Sequence, residues 1–199
     1  MMALHAVLAA IPETTCANTP ECVAQQRCYA AAALGRSAAL SGAPPHGYRK
    51  SEEGAPLVND GWHWSVSHKR HWAAAIVARE RVGIDVEAIV PRSEDHFNEI
   101  ATPAEWACFS ARDPLTFFRV WTAKEAVVKS AGFGVGRMDA CRITSVPQID
   151  MLHAELDGVA LQVVHFGIDE HLASVACIAG AITWHVVRDL PTGEIEAAS

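Results

Sequence analysis

The sequence has no excess of positive charge, no paired cysteine motif and no apolar run long enough to cross a membrane. Its 199 residues carry a net charge of −7, which argues against non-specific nucleic-acid binding, because that binding needs a basic surface. The six cysteines form no CxxC pair, so we expect free thiols in a cytoplasmic protein. The apolar opening MMALHAVLAAIP is short, and no Lys or Arg precedes it. It therefore predicts a buried first strand or helix rather than a secretory signal.

Half of the residues are apolar and a fifth are charged, enough for a core in one compact unit or in two small halves that share an interface. The Ala-rich segment 22–40 has helical spacing. Segment 62–68 alternates apolar and polar residues and predicts a half-buried strand, followed by two strands that meet in a turn near 79–81. After Gly136 the chain alternates through further antiparallel strands, and residues 191–199 are typical of a frayed tail.

The middle of the chain contains two sequence patterns that predict the start of a helix. Thr102-Pro103-Ala104-Glu105 combines an N-cap residue, a proline in the first turn and a capping-box glutamate,. Asp113-Pro114 has the same pattern of an N-cap residue followed by a proline and begins a second helix, which should end near Gly132,.

The segment VGIDVE brings two acids together. In a strand, residues two apart point to the same face, so Asp85 and Glu87 project side by side while Val82, Ile84 and Val86 enter the core,. Adjacent carboxylates repel unless a cation lies between them, and carboxylate oxygens suit Mg²⁺ or Mn²⁺ better than zinc. The alternative is a solvated acidic strand edge without any ligand.

Within FFRVWTAKEAVVKSAG, a carboxylate and an ammonium group border an apolar stripe. Trp121, Glu125 and Lys129 share one helical face,. A surface ion pair between Glu125 and Lys129 is the simpler interpretation. A site for both a metal and a phosphate also explains why the pair adjoins the core: Glu125 completes a ligand set with Asp85, and Lys129 neutralises a phosphate oxygen.

A third polar group lies at the end of the predicted strand 62–68. Ser67 and His68 offer a hydroxyl, an imidazole and backbone N–H groups to a terminal phosphate,. The alternative is a solvated turn after the strand, which we favour for Lys69 and Arg70. The histidines in this region, among them His71, have no recognisable zinc spacing.

In order along the chain, WSVSHKRHW, GIDVE and WTAKEAVVKSAG resemble the motifs of the 4′-phosphopantetheinyl transferases, specifically the surfactin-type or enterobactin-type branch. The resemblance covers residues 27–131 and, loosely, the strands after them. It implies an α+β pseudo-dimer of two similar subdomains, each a small antiparallel sheet packed with helices. The expected halves are residues 1–81 and 82–190, the second carrying the metal site, with a tail at 191–199.

The reaction that the resemblance implies transfers the 4′-phosphopantetheine arm of coenzyme A to a serine of an apo acyl or peptidyl carrier protein, releasing adenosine 3′,5′-bisphosphate. Coenzyme A is then a substrate that lies between the halves, and the cofactor is Mg²⁺ or Mn²⁺. Asp85, Glu87 and Glu125 are the implied metal ligands. Ser67 and His68 bind the 3′-phosphate, and Lys129 binds the pyrophosphate. Glu125 accepts the serine proton, and Lys129 also stabilises the leaving bisphosphate.

Other positions match the family less directly. Glu105 corresponds to an acid with a metal or base role, although its capping-box position offers a structural reason for it. Lys124 belongs to the Lys-Glu pair and has a supporting part in binding coenzyme A. Further expected contacts to the nucleotide come from the first helix and the loop after it: Arg27, Arg36, Arg49 and Lys50. Departures from the family pattern are Ala55 in place of a nucleotide-binding lysine, and Lys69 and Arg70 in place of Ser and Gly, which add charge near the phosphate.

A rival hypothesis is a catalytically silent coenzyme A-binding or carrier-docking module of the same fold, consistent with Lys69, Arg70 and Ala55. Carrier proteins are acidic along their docking helix, so candidate contacts are Arg112, Arg119 and Arg137, each equally interpretable as a solvated residue,. We expect a cytoplasmic monomer without a membrane or nucleic-acid partner. The sequence leaves open whether the pathway makes polyketides, nonribosomal peptides, siderophores or fatty acids.

Overall fold

The computed structural model describes residues 3–12, 19–133 and 135–191. The elements within these ranges, in chain order, are β1 Leu4–Ala10, α1 Pro20–Ser41, β2 His63–Lys69, β3 Trp72–Ala78, β4 Val82–Ala88, α2 Glu94–Ile100, α3 Pro103–Trp106, α4 Pro114–Ser130, a 3₁₀ segment Val135–Ala140, β5 Arg142–Gln148, β6 Met151–Leu156, β7 Val159–Ile168, β8 His171–Cys177 and β9 Ile182–Val187. The opening segment, expected to form a buried strand or helix, forms the strand β1. The Ala-rich helix, both helix starts and the alternating strands of the second half are confirmed. The predicted tail lies outside the described residues from 192 onward.

Two sheets form the centre of the fold. The first has the order β2-β3-β1-β9 and the second the order β4-β8-β7-β6-β5. All neighbouring strands are antiparallel except β1 and β9, which are parallel. The predicted α+β class, with two sheets packed against helices, is confirmed.

The sheets and helices stack as four layers. Helix α1 packs on one face of the first sheet, whose other face packs on the second sheet. Helix α4 covers the outer face of the second sheet together with α2 and α3. Because β3 and β8 are covered on both faces, every residue of each is buried, which explains their nearly continuous apolar sequences.

Strand β9 differs from the sequence-based organisation. It falls within the segment expected to form the C-terminal half, yet it pairs with β1 of the first sheet, in the register His5 to Thr183. The two sheets pack against each other in a shared core. The short segment between β8 and β9 is therefore long enough to return the chain from the second sheet to the first. The division at residue 81 stays a prediction for the other elements.

Helix α4 is positioned by its start and by one close contact. The Asp113 side chain accepts a hydrogen bond from the Thr116 N–H at 2.7 Å, and Pro114 occupies the first turn, so the helix begins where the sequence predicts. A Cβ on Gly83 of β4 would lie 1.9 Å from the Ala126 carbonyl oxygen. Glycine at this position therefore allows α4 to lie directly on β4, next to the acidic pair.

No helix within the described residues is long and apolar enough to cross a membrane. Cys28, Cys108, Cys141 and Cys177 are free thiols, as expected, whereas Cys16 lies outside the described residues.

Candidate functional site

Asp85 joins three elements of the fold. It lies on β4 and is 3% exposed. Its Oδ1 accepts hydrogen bonds from the Ser67 hydroxyl of β2 at 2.8 Å and from the Lys129 ammonium of α4 at 2.6 Å. Its Oδ2 is buried and has no hydrogen-bond partner within the described residues. Asp85 therefore stands where the two sheets and α4 meet, with one carboxylate oxygen still able to accept a ligand.

Glu87 and Glu125 extend the acidic group around Asp85. Glu87 is bound by the Lys69 ammonium at 2.6 Å, while burial and the charge of Asp85 raise its pKa. Glu125 is 5% exposed. Burial, and then the charges of Asp85 and Glu87, raise the pKa of Glu125 to about 7, against the opposing effect of Lys129. The three carboxylates predicted as metal ligands are thus close enough to repel one another.

The chemistry of these carboxylates fits a divalent cation. Hard oxygen ligands suit Mg²⁺ or Mn²⁺, the unpaired Asp85 Oδ2 can receive a cation, and a cation would relieve the repulsion that raises the pKa of Glu125. Among the described side chains, no three His, Cys, Asp or Glu converge at metal-binding distances in this conformation. Instead the ammonium groups of Lys69 and Lys129 hold Glu87 and Asp85.

Positive charge gathers around His68, on the face of β2 that points to α1. Its Nδ1 lies 3.0 Å from Gln26 Oε1 of α1. Burial lowers the pKa of His68, and the charges of Lys129, Arg27 and Lys50 lower it further. Three of the cations predicted to bind coenzyme A therefore surround the predicted phosphate ligand His68. No motif in the sequence pointed to Gln26.

Other predicted residues lie elsewhere or are already engaged. Burial lowers the pKa of His185, and the charges of His5 and then of Arg36 lower it further. Arg36 is not among the charges that lower the pKa of His68. Arg49 is exposed in the loop before β2. Ser67 donates its hydroxyl hydrogen to Asp85, so a phosphate at this position would meet its oxygen lone pairs. Lys69, expected to add charge near a phosphate, pairs with Glu87.

Glu105 and Lys124 form a separate buried pair, with 2.7 Å between Oε1 and Nζ. Glu105 Oε1 also accepts the Ile143 N–H, and Oε2 accepts the N–H and hydroxyl of Thr102. Four donors therefore satisfy this carboxylate within the described residues. The contacts favour the structural alternative, in which Glu105 caps α3 and fixes β5, and they engage Lys124 in the same role.

A cavity of about 170 Å³ opens beside Lys129, at the beginnings of β2 and β4. Its walls include His63 and Val82 from the two strands, Leu57 from the preceding loop and Gly132 after α4. The loop, both sheets and α4 all contribute, so the cavity lies in the cleft where coenzyme A was expected.

Comparison with known proteins supports the same family. Residues 81–176 match the family model of the 4′-phosphopantetheinyl transferase superfamily. The 4′-phosphopantetheinyl transferase gsp of Aneurinibacillus migulanus is 32% identical over 94 residues, which are 44% of this chain and 39% of that protein. The 4′-phosphopantetheinyl transferase of Bacillus subtilis is 30% identical over 77 residues, or 37% of this chain and 34% of that protein. The 4′-phosphopantetheinyl transferase AcpT of Salmonella typhi is 29% identical over 163 residues, or 77% of this chain and 83% of that protein.

The matches to gsp and to the Bacillus subtilis enzyme thus cover less than half of those proteins, whereas the match to AcpT covers most of both chains. The family segment includes the strand with Asp85 and Glu87 and the helix with Glu125 and Lys129. These are the residues that the structure gathers around the buried carboxylate. The resemblance inferred from the three motifs is confirmed, because the family model of the 4′-phosphopantetheinyl transferase superfamily matches residues 81–176 of this chain.

Proposed function

We propose that this protein is a 4′-phosphopantetheinyl transferase that moves the phosphopantetheine arm of coenzyme A to a serine of an apo acyl or peptidyl carrier protein. The family match and the relatives named as 4′-phosphopantetheinyl transferases support this activity. The observation that carries the proposal is the buried Asp85, held by Ser67 and Lys129, with one oxygen unpaired. A buried, incompletely paired carboxylate is costly in a purely structural role and useful in a site.

The nucleotide end of coenzyme A would bind among the cations. His68, Arg27 and Lys50 supply the positive charge for the 3′-phosphate, and Lys129, which lies next to Asp85, supplies it for the pyrophosphate. The cavity beside Lys129 is open to the neighbouring part of the nucleotide. Arg and Lys contacts to phosphate are charge-assisted and strong.

Asp85, Glu87 and Glu125 would hold a Mg²⁺ or Mn²⁺ ion, which when bound neutralises the pyrophosphate oxygens. The side chains of this protein then position the reactants. Phosphoryl transfer depends more on in-line placement and charge stabilisation than on covalent help from the protein.

In the transfer step, the carrier serine oxygen forms a bond to the phosphorus that bears the pantetheine arm. The bond from that phosphorus to the bridging pyrophosphate oxygen breaks, and the electron pair leaves with adenosine 3′,5′-bisphosphate. Glu125 accepts the serine proton, directly or through one water molecule. Lys129 stabilises the negative charge that grows on the leaving bisphosphate.

The carrier is expected to present an acidic docking helix. Arg112 and Arg137 are partly exposed, and each already lies near an acid of this chain, Glu94 at 3.5 Å and Asp157 at 2.9 Å. Exposed pairs of this kind are weak, so a partner's acids can replace them. We further propose a cytoplasmic monomer that serves polyketide, nonribosomal peptide, siderophore or fatty-acid synthesis.

The test is to incubate the protein with coenzyme A, Mg²⁺ and a panel of apo carrier proteins and to measure the carrier mass. A gain equal to one phosphopantetheine on the serine is the expected result, and repeating the assay with Mn²⁺ and with chelator tests the metal. Thermal stabilisation by coenzyme A without a mass gain on any carrier would instead favour the silent binding module. If the protein shows neither thermal stabilisation nor a mass gain on any carrier, the transferase and the silent binding module are both refuted.

A further inference from the structure

A second cavity, which we call the His171 cavity, lies at the opposite ends of β2 and β4 from the cavity beside Lys129. Its volume is about 340 Å³. It lies between the turn that joins β2 to β3, the turn that joins β7 to β8, and the end of β1. Its lining combines apolar surface, two imidazoles and an ion pair, contributed by Ile11, Trp72, His71, His171, Asp169 and Arg188.

His171 is the unusual member of this lining. It is 4% exposed, yet neither ring nitrogen has a hydrogen-bond partner within the described part of the chain. Buried polar atoms are ordinarily hydrogen-bonded, so two unpaired nitrogens on one imidazole call for a ligand. The nearest ring is that of His71, edge-on with 5.7 Å between centroids.

The hydrogen-bonding character of His171 follows from its surroundings. Burial, and then His71, lower its pKa, so the ring is neutral at neutral pH. A neutral imidazole presents one N–H donor and one acceptor nitrogen. The matching ligand group is a secondary amide or a similar group that carries both an acceptor and a donor.

The position of the cavity relates it to the acidic group. Ala88, the residue after Glu87, pairs with His171 in the ladder between β4 and β8. Lys69, which binds Glu87 at 2.6 Å, also acts on the pKa of His171. The carboxylates therefore lie between two cavities, one at the beginnings of β2 and β4 and one at their ends.

We propose that the His171 cavity binds the pantetheine arm of coenzyme A while the nucleotide occupies the cleft beside Lys129. This inference rests on the proposed function. The arm carries two secondary amides, which complement the two nitrogens of His171, and a dimethyl group, which suits the apolar walls at Ile11 and Trp72. It is longer than an extended tripeptide, which spans about 10 Å, so from a pyrophosphate at Glu87 it reaches past Ala88 to His171.

The test compares two ligands that differ by the arm. Binding of coenzyme A and of adenosine 3′,5′-bisphosphate is measured by calorimetry, with Mg²⁺, for the unsubstituted protein and three variants. His171→Leu should weaken coenzyme A binding about tenfold, the value of one or two neutral hydrogen bonds, and leave bisphosphate binding unchanged. His171→Gln, which keeps a donor and an acceptor, should recover part of the loss. His153→Leu, on an exposed position of β6, should change neither affinity.

Equal affinities of wild type and His171→Leu for coenzyme A would overturn the inference, as would equal losses for both ligands. If His171→Leu does not fold, His71→Ala at the partly exposed edge of the cavity is measured instead. This variant should also lose affinity for coenzyme A selectively, and an unchanged affinity would overturn the inference. A wild-type protein that binds neither ligand would refute the proposed function itself. Wild-type transfer with no selective effect in the variants would refute the arm site alone.

Discussion

Helix α4 carries two lysines that bind buried acids on different sides of the helix. Lys124 and Lys129 are five residues apart, which is a rotation of about 140°. Lys124 binds Glu105 at 2.7 Å and Lys129 binds Asp85 at 2.6 Å. Glu105 is 5% exposed and Asp85 is 3% exposed. By charge, distance and burial of the acid, the two pairs are nearly the same.

Their remaining hydrogen bonds differ. Both oxygens of Glu105 are occupied by donors, and the Lys124 side chain is 3% exposed. Asp85 Oδ2 has no partner within the described residues, and the Lys129 side chain is 27% exposed beside a cavity. A complete set of partners indicates a role in stability, whereas an open oxygen beside an accessible lysine indicates a binding site.

The largest expected effect is on stability, from removing the satisfied acid. Glu105→Ala leaves Lys124 buried without its partner and removes the cap of α3, so the free energy of unfolding should fall by about 3–5 kcal/mol. Urea denaturation measures this loss. Asp157→Asn, in the exposed pair with Arg137, is the control and should cost less than about 1 kcal/mol, because Asn tolerates the left-handed backbone at this position,. Wild-type stability of Glu105→Ala together with lost transfer would make Glu105 a catalytic acid after all.

The open acid should show the reverse pattern. Asp85→Asn should lower transfer to a carrier by about 100-fold or more, because a charged group at the reacting centre is lost, while the protein stays folded. Carrier mass gain measures transfer, and circular dichroism verifies folding, with Asp157→Asn as the matched exposed control. Full activity of purified Asp85→Asn would remove Asp85 from the site.

The contact between α4 and β4 can be disturbed without touching either acid. Gly83→Ala places a Cβ 1.9 Å from the Ala126 carbonyl oxygen and 2.7 Å from the Ser130 N. The helix must shift, which should cost about 1–3 kcal/mol and also lower transfer by displacing Lys129 from Asp85. In contrast, Gly35→Ala in the middle of α1 meets no atom within 4 Å and should stabilise the protein by about 0.5–1 kcal/mol. An equal response of the two variants in thermal unfolding would contradict the close packing.

A third buried ionisable group, His165, has no ionic partner among the described residues and extends the comparison to the effect of pH. Thr122 donates to the Phe118 carbonyl, so the Ser174 hydroxyl donates to Thr122 and accepts from His165 Nδ1 at 2.8 Å. Nδ1 of His165 therefore carries a hydrogen. Burial, and then the charge of Arg119, lower the pKa of His165 to about 3.

The unfolded chain takes up a proton at His165 below pH 6.5, whereas the folded protein does so only near pH 3. Between these values the unfolded state binds more protons, so stability should decrease as pH falls, by roughly 1 kcal/mol per pH unit from this group. His165→Leu should remove that part of the slope in denaturant unfolding at pH 6.5, 5.5 and 4.5. Parallel slopes for wild type and variant would mean that His165 already titrates normally.

Much of the site was accessible from local patterns. The alternation of residues in GIDVE predicted that Asp85 and Glu87 share one face of a strand. Helical spacing predicted that Glu125 and Lys129 share one face of a helix. The Asp113-Pro114 start fixed the phase of α4. Each inference uses a period that the backbone imposes within one element, so it needs no knowledge of how the elements pack.

Contacts between elements distant in the chain were beyond such patterns. Gln26 reaches His68 from α1, Lys69 pairs with Glu87 across two sheets, and Arg36 lies with His185 away from the cations at His68. The placement of β9 beside β1 is of the same kind. Neither period nor composition encodes which strand edges meet, because that depends on the packing of both sheets.

By itself the sequence determined the elements, their apolar faces and the three motifs that mark the family, since these follow from backbone geometry and residue chemistry. Only the tertiary structure decided which of two similar acid–lysine pairs is satisfied. Burial and hydrogen bonding are properties of the assembled surroundings. Glu105 obtains its donors from the N-cap of α3, from α4 and from β5, whereas Asp85 Oδ2 has no partner among the described residues.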